Sequence, residues 1–298
     1  MTTLRPLALA AIVAGCGRAA ESPEILIIGG PGSTDGRFAT PRAAAWDPSG
    51  RLYVVDKTGR VQAFDGEGRV LRVWRTPDVE RGRPGGIAVD CKGDVLVADT
   101  HYHQVLRYSP GGQLLSSFGS EGRGPGQFIY PVGLAIAPDG TIYVSEFGGN
   151  DRIQAFDAGG RFRSEWGRYG DGPGEFKRPQ GLAWASGRLY VADAVNDRVQ
   201  VFSPDGKFLL AWSGVRYPYS VSPDREGNLL VAEYGRDRVS RFSPDGRPLG
   251  GAGGSGAASG FLNRPWSAVA AGDRVFVVDS ENHRVQRWPL DRLRGARP

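Results

Sequence analysis

The chain has 298 residues, of which 45 are glycine and 40% are hydrophobic, and this composition indicates a folded domain with many tight turns. The hydrophobic fraction is too high for a disordered chain, and the glycines show no collagen-like period. The formal net charge is +5, but the 37 basic residues are interspersed with 32 acidic ones. A mixed surface of this kind does not favour nucleic acid as a partner.

The N-terminal segment predicts export. An apolar run, Leu7–Gly15, follows an early arginine, is too short to cross a bilayer and ends in small residues, so residues 1–15 are predicted to be a signal peptide. The tetrapeptide Val13-Ala14-Gly15-Cys16 resembles the lipobox of bacterial lipoproteins, which predicts that Cys16 becomes a lipid-modified N-terminus. An ordinary signal peptide with an incidental cysteine is the alternative.

The lipoprotein interpretation makes residues 16–23 a lipidated linker, with the acyl chains as the sole contact with the membrane. The residue after the cysteine is Gly17 and not the aspartate that retains lipoproteins in the inner membrane of enteric bacteria. We therefore expect an exported protein of the cell envelope, on the outer membrane or facing the periplasm. Cys91 would be the one cysteine besides Cys16, which excludes an intramolecular disulfide in the mature chain.

One unit recurs from residue 41 to residue 290. Each copy opens with a proline and an apolar strand, passes a turn rich in Gly and Asp, and reaches a second strand that ends in an acid. A hairpin then leads to a third strand of the type Arg-Val-Gln-x-Phe, and a second glycine turn leads to a fourth strand. The opening prolines lie 39 to 48 residues apart, at Pro41, Pro84, Pro131, Pro179, Pro218 and Pro265. Because this period with four short strands is the size of a propeller blade, the sequence predicts an all-β, six-bladed β-propeller.

The last unit is incomplete, because it stops after its third strand, residues 284–288. Residues 24–41 copy the closing part of an internal unit, residues 161–179. Pairing this N-terminal strand with the last blade would close the ring and remove exposed sheet edges. We therefore expect one monomeric propeller over residues 24–290, followed by a basic tail over residues 291–298.

The phrases GRGPGQFIYPVGLAIAPDGTIYVSE and GDGPGEFKRPQGLAWASGRLYVADAVNDRVQVFSPDGKFL, which begin at Gly122 and Gly170, resemble NHL repeats. The resemblance covers almost the whole chain beyond the signal segment and implies a six-bladed propeller. It implies little about activity, because the family includes binding platforms, sensor domains, RNA-binding domains and a few lyases.

An acid at the end of the second strand recurs with an arginine at the start of the third, in a loop that could otherwise be taken for a catalytic cluster. An enzyme does not need the same catalytic pair in blade after blade, whereas every blade needs its second and third strands held together. We therefore predict that these residues are structural ion pairs. The pairs are Asp56 with Arg60, Glu146 with Arg152, Asp193 with Arg198, Glu233 with Arg238, and Asp279 with Arg284.

Blade two, the unit that opens at Pro84, lacks this arginine. In its place the sequence carries Asp99, His101 and His103 at alternating positions, which is a possible set of metal ligands for zinc. The alternative is simple variation of a hairpin at the rim. The one further histidine, His283, lies in blade six and is too far around the ring to join them.

The residue after each opening proline is expected to approach the central channel at one face of the propeller, which we call the axial mouth. Four of these residues, on consecutive blades, are Gln180, Tyr219, Trp266 and Arg42. Two aromatic rings beside an amide and a guanidinium are suited to a sugar, a peptide or another small polar ligand. The alternative is that the aromatic rings plug the channel. The remaining two positions are Gly85 and Val132, so the histidines that hold zinc in the amidating lyases resembling this family have no counterpart here.

These observations favour a non-catalytic binding or scaffold propeller tethered to the cell envelope, with no cofactor. Its expected partners are an envelope protein, a peptide or a small polar ligand. The alternative is a metal-dependent lyase or hydrolase, in which carboxylates and amides around the axis hold a cation such as calcium. Carboxylates that project into the channel, in addition to the repeated acids, would favour the enzyme.

Overall fold

The computed structural model describes residues 25–80 and 83–295. Cys16 and the predicted signal segment lie outside these residues. The described chain forms six four-stranded antiparallel sheets, which confirms the predicted six-bladed propeller. Three short 3-10 helices interrupt the strands, at Thr100–Tyr102, Ser280–Asn282 and Leu290–Leu293. None of the helices in the described part of the chain is long and apolar enough to span a membrane.

The strands of each blade follow one another in the sheet, beginning with the strand nearest the axis. Blade one consists of β2 Pro41–Trp46, β3 Arg51–Asp56, β4 Arg60–Asp65 and β5 Val70–Arg75. Blade two consists of β6 Gly86–Val89, β7 Val95–Asp99, β8 Gln104–Tyr108 and β9 Leu114–Phe118. Blade three consists of β10 Tyr130–Ile136, β11 Ile142–Phe147, β12 Arg152–Phe156 and β13 Phe162–Trp166.

Blades four to six repeat the arrangement. Blade four consists of β14 Pro179–Ala185, β15 Arg188–Asp193, β16 Arg198–Phe202 and β17 Phe208–Trp212. Blade five consists of β18 Pro218–Pro223, β19 Leu229–Glu233, β20 Arg238–Phe242 and β21 Pro248–Gly253. Blade six consists of β22 Pro265–Ala271, β23 Arg274–Asp279 and β24 Arg284–Pro289, and is completed by β1 Leu26–Gly29 from the other end of the chain.

The apolar core lies between the blades, because both faces of each sheet are covered by its neighbours. In β15, Leu189 and Val191 pack toward blade three, whereas Tyr190 and Ala192 pack toward blade five, and all four are fully buried. Each such side chain contributes roughly 1.5–3 kcal/mol to folding. A strand with a core on both faces is therefore apolar without alternation, as the sequence showed for this segment.

The ring closes as predicted, by pairing of β1 with β24 in antiparallel register from Leu26 opposite Arg287 to Gly29 opposite Arg284. Residues 291–295, which the sequence places in a basic tail, pack against blade five. Leu293 is fully buried, and the Gly295 N–H donates to the Leu249 carbonyl at 2.7 Å.

Candidate functional site

The repeated acid and arginine fasten the glycine-rich loop that leads into blades one, three, four and six. In blade four, Arg198 Nε donates to Asp193 at 2.8 Å, and the terminal guanidinium nitrogens donate to three carbonyls of the loop 171–175 at 2.6 to 2.9 Å. Asp193 also accepts the Lys177 N–H at 2.8 Å and the Gln200 amide at 3.1 Å. Because every acceptor belongs to the scaffold, these groups hold the loop and two strands together and are not available to a substrate.

The predicted ion pairs form in the other blades with one exception. The pairs are Asp56–Arg60 at 2.8 Å, Glu146–Arg152 at 2.6 Å and Asp279–Arg284 at 2.6 Å. In blade five the distance from Glu233 to Arg238 is 3.9 Å, and Glu233 pairs more closely with Arg236, at 3.0 Å. The connection into this blade has only residues 213–217 and lacks the long glycine loop, so Arg238 has no loop carbonyls to bind.

A second clamp, which the sequence analysis missed, joins blades three, four, five and six each to the next blade. The residue before the clamp arginine accepts the backbone N–H of the residue before the next opening proline. The bonds run from Arg178 to Asp151 at 2.6 Å, from Tyr217 to Asp197 at 2.7 Å, from Arg264 to Asp237 at 2.7 Å and from Thr40 to His283 Nδ1 at 3.0 Å. The signal in the sequence is the residue that precedes the arginine, which is Asp in three copies and His in the fourth.

Blade two does not assemble a metal site from the predicted residues. His103 Nδ1 lies 2.5 Å from the Ile129 carbonyl of blade three, so His103 occupies the blade-to-blade position that His283 occupies in blade six. His101 is exposed, and Asp99 is fully buried. Within the described residues, no three His, Cys, Asp or Glu side chains come close enough to hold a cation. In the described structure Asp99, His101 and His103 are therefore not grouped as a set of three ligands.

Asp99 itself departs from the repeat, because its carboxylate forms no ion pair in the described chain and no hydrogen bond of ordinary geometry reaches its oxygens, although Gln104 lies near enough to act on its pKa. Gln104 stands where the other blades place arginine, and it lies directly opposite Asp99 in the strand pairing. Burial raises the pKa of Asp99 to about 6, with a smaller contribution from Asp78. Blade two thus retains the acid of the clamp without its cation.

The axial mouth is built by a β-bulge at the start of the inner strand. The register of this strand shifts just after the proline in every blade but the second, between Pro41 and Ala43, Pro131 and Leu134, Pro179 and Leu182, Pro218 and Ser220, and Pro265 and Ser267. A bulge re-aims the side chain that it contains. The residue after the proline borders an axial cavity of about 350 Å³ in all six blades, as predicted, including blade two, which has no bulge. Tyr219 and Trp266 are among the residues that line this cavity.

Below the mouth the inner strands approach one another closely. A Cβ atom added at Gly133 would lie 2.2 Å from the Gln180 carbonyl oxygen, and one at Gly181 would lie 2.7 Å from Ser220 Cα. The Ser145 hydroxyl donates to the same Gln180 carbonyl at 2.6 Å and accepts the Gly133 N–H at 2.9 Å. These contacts fix the backbone that carries the Gln180 side chain.

The aromatic part of the mouth is larger than the sequence analysis indicated. The ring centroid of Tyr219 lies 4.9 Å from that of Trp266, 4.6 Å from Tyr234 and 5.7 Å from Tyr217. Burial raises the pKa of Tyr219 to about 12, so this side chain is neutral at physiological pH. Tyr217 precedes the opening proline of blade five and Tyr234 follows the acid of its second strand, and blade three has Tyr130 and Phe147 at the same two positions of the repeat.

Positive charge gathers at the same mouth. The Arg42 guanidinium lies over the Trp266 ring at 4.6 Å and donates to the Arg83 carbonyl at 3.1 Å. Burial, together with the charge of Arg83, lowers the pKa of Arg42 to about 10, which leaves it protonated at neutral pH. Partial burial, with the charges of Arg42 and Arg83, also lowers the pKa of His101.

Two segments match the family model of the NHL repeat, residues 82–108 and 262–288. Over 104 residues the chain is 31% identical to NHL-repeat-containing protein 4 of Mus musculus, an alignment that covers 35% of this chain and 72% of that protein. The chain belongs to the NHL-repeat family. A second relative of this NHL-repeat protein is the protein brain tumor of Drosophila melanogaster, which is 32% identical over 75 residues. That alignment covers 25% of this chain and only 7% of brain tumor.

Solved structures share the fold of this NHL-repeat propeller. A streptogramin B lyase aligns with a TM-score of 0.62 and 16% identity, over 89% of this chain and 87% of its own. A gluconolactonase from Xanthomonas campestris aligns with a TM-score of 0.64 and 18% identity, over 85% of this chain and 86% of its own. At these identities the likeness establishes the propeller architecture and no activity.

Proposed function

We propose that this NHL-repeat propeller is a non-catalytic binding scaffold of the cell envelope, with its ligand site at the axial mouth. The observation that carries the proposal is the cavity of about 350 Å³ bordered by Arg42, Gln180, Tyr219 and Trp266. A pocket of this size with aromatic walls and a few polar groups is typical of small-ligand sites. The five repeated acids that form ion pairs, the obvious catalytic candidates, are occupied by the scaffold.

The chemistry of the cavity wall supports binding over catalysis. Among the described residues that line the cavity there is no Asp, Glu, His or Cys. Hydrolysis and elimination need a general base or a metal, and those side chains supply both in most enzymes. The wall offers hydroxyls, an amide, a guanidinium and aromatic rings, which recognise a ligand without activating it.

A ligand screen by thermal shift tests the site. Compounds that stabilise the wild-type protein are expected to lose that effect in each of the single variants Tyr219→Ala and Trp266→Ala, because each variant lacks one of the two rings at the mouth. At a ligand concentration of about one hundred times the Kd, the stabilisation amounts to about 2.7 kcal/mol. Tyr169→Ala is the control, since this ring is 68% exposed on a surface loop. Equal ligand-induced shifts in all three variants would place the ligand elsewhere.

A metal-dependent lyase or hydrolase is the second candidate, because propellers with those activities share this fold. We expect elemental mass spectrometry of the purified protein to detect no stoichiometric metal. We also expect the melting temperature to be the same with and without a chelator. The reason is the lack of carboxylate and imidazole ligands in the described cavity wall. A bound metal whose removal lowers the melting temperature would favour the enzyme.

The envelope location rests on the tetrapeptide Val13-Ala14-Gly15-Cys16. In a bacterial host the full chain is expected in the membrane fraction, whereas Cys16→Ser is expected in the soluble or secreted fraction, because the acyl chains are the proposed anchor. Cys91→Ser is the matched control, since this cysteine is exposed on the propeller and outside the signal segment. Fractionation of Cys16→Ser with the membrane would contradict lipidation.

A further inference from the structure

The axial cavity carries one uncompensated positive charge. Arg42 is the single lining residue in the described chain that is charged at neutral pH. The nearest repeated acid, Asp56, is already paired with Arg60 at 2.8 Å. Arg83 lies close enough to lower the pKa of Arg42, and Arg178 lies close enough to act electrostatically on Tyr219. A ligand that enters the mouth therefore meets a positive potential with no acid in the wall to offset it.

The polar atoms without partners at the mouth are hydrogen-bond donors. Arg42 Nε, Gln180 Nε2 and Trp266 Nε1 are buried, and none has an acceptor in the described structure. The Gln180 side chain is only 6% exposed, so bulk water does not readily satisfy its amide. A buried donor without an acceptor costs about 1–3 kcal/mol, so the mouth favours acceptor oxygens next to these groups over further donors.

The charge and the donors together select the ligand. One guanidinium matches a singly charged carboxylate, with which arginine forms its strongest hydrogen bonds. Tyr219 and Trp266, whose ring centroids lie 4.9 Å apart, form an aromatic wall of the cavity beside Arg42, and a ring packs favourably against such a wall. We propose that the cavity binds a small carboxylic acid built on a ring, with its carboxylate on Arg42 and its ring against Tyr219 and Trp266. This inference rests on the proposed function, which puts a ligand at the mouth.

Calorimetric titration of the full protein with paired probes tests the inference. The acids are phenylacetate, indole-3-acetate and galacturonate, and their neutral counterparts are phenylacetamide, indole-3-acetamide and galactose. At least one acid is expected to bind, and its neutral counterpart to bind at least about ten-fold more weakly, because a lost charge-assisted hydrogen bond is worth about that much. Raising the ionic strength is expected to weaken the acid and not the neutral compound.

Variants locate the carboxylate. Arg42→Gln is expected to lose at least about ten-fold in affinity for the acid, and Arg42→Lys to keep part of it. Arg188→Gln is the control, since Arg188 is exposed at the opposite end of the inner hairpin of blade four. Melting curves verify that each variant is folded, and the ionic-strength dependence of the wild type gives a readout that needs no variant.

The outcomes separate this inference from the proposed function. Equal affinity for an acid and its amide, lost in Trp266→Ala but kept in Arg42→Gln, would overturn the inference and leave a ligand site at the mouth. Inorganic phosphate or sulfate that displaces the acids with equal affinity would show an oxyanion site that does not need a ring, which also overturns it. Failure of all three acids to bind would overturn the inference outright, whatever the thermal-shift screen finds.

Discussion

Arg198→Ala is expected to lower the free energy of unfolding by about 3 kcal/mol, because it leaves the Asp193 carboxylate buried without its cation. The Asp193 side chain is 0% exposed, and its distance to Arg198 is 2.8 Å. The substitution also removes the donors that hold three carbonyls of the loop 171–175. Denaturant unfolding measures the loss. Burial already raises the pKa of Asp193, so the loss is expected to be greater at mildly alkaline than at mildly acidic pH.

The matched control for this change is Arg238→Ala in blade five. Arg238 occupies the same position of the repeat, but its side chain is 40% exposed and lies 3.9 Å from Glu233, which keeps Arg236. Its removal is expected to cost less than about 1 kcal/mol, as for most exposed pairs. Similar losses at both arginines would show that position in the repeat, and not burial of the pair, decides the energetics.

The repeat made the fold and the position of the mouth predictable from sequence. Six prolines in register marked the inner strands, and the incomplete last unit pointed to the N-terminal strand that closes the ring. The residues after the prolines, such as Gln180 and Trp266, were placed correctly because one copy of the blade positions all the others. A repeated structure therefore allows geometry to be inferred by comparison within a single chain.

Other features depend on contacts between blades, which no pattern within one blade shows. Asp197 and His283 bind the N–H of residues in the next blade, and these residues, Tyr217 and Thr40, have positive φ angles of 47° and 52°. The backbone strain at these positions is stabilised by the hydrogen bond from the neighbour. The alternating histidines of blade two suggested metal ligands in the sequence. The contact of His103 with the neighbouring blade could not be inferred from a pattern within one blade.

Asp99→Asn is expected to stabilise the protein at neutral pH, in contrast to most substitutions of a buried residue. Asp99 is fully buried, and its carboxylate forms no ion pair in the described structure. Its pKa is raised from an ordinary value of 3.8 to about 6. Between pH 3.8 and about 6 the folded state retains a proton that the unfolded state loses, and at neutral pH the folded state carries a buried charge instead. A shift of this size corresponds to roughly 3 kcal/mol, and asparagine avoids that cost because it carries no charge.

The pH dependence identifies the group. The stability from the bound proton is fully present below pH 3.8 and is lost as the pH rises through about 6. The wild type is thus expected to lose roughly 3 kcal/mol relative to Asp99→Asn across this window, and the difference is expected to be constant above it. Denaturant unfolding at a series of pH values measures the difference. A difference that does not change with pH would mean that Asp99 does not titrate in this range.

Asp279→Asn in blade six is the matched control. Asp279 and Asp99 occupy the same position, each is followed by a 3-10 helix that ends at a histidine with positive φ, and their backbone angles are nearly identical. The two acids differ in the residue at the start of the third strand. Arg284 Nε lies 2.6 Å from Asp279 Oδ2, whereas Asp99 lies opposite Gln104. The same change from aspartate to asparagine is therefore expected to stabilise blade two and to destabilise blade six. Opposite signs in one molecule would show that the partners of the buried acid, and not its burial alone, decide whether it stabilises the clamp.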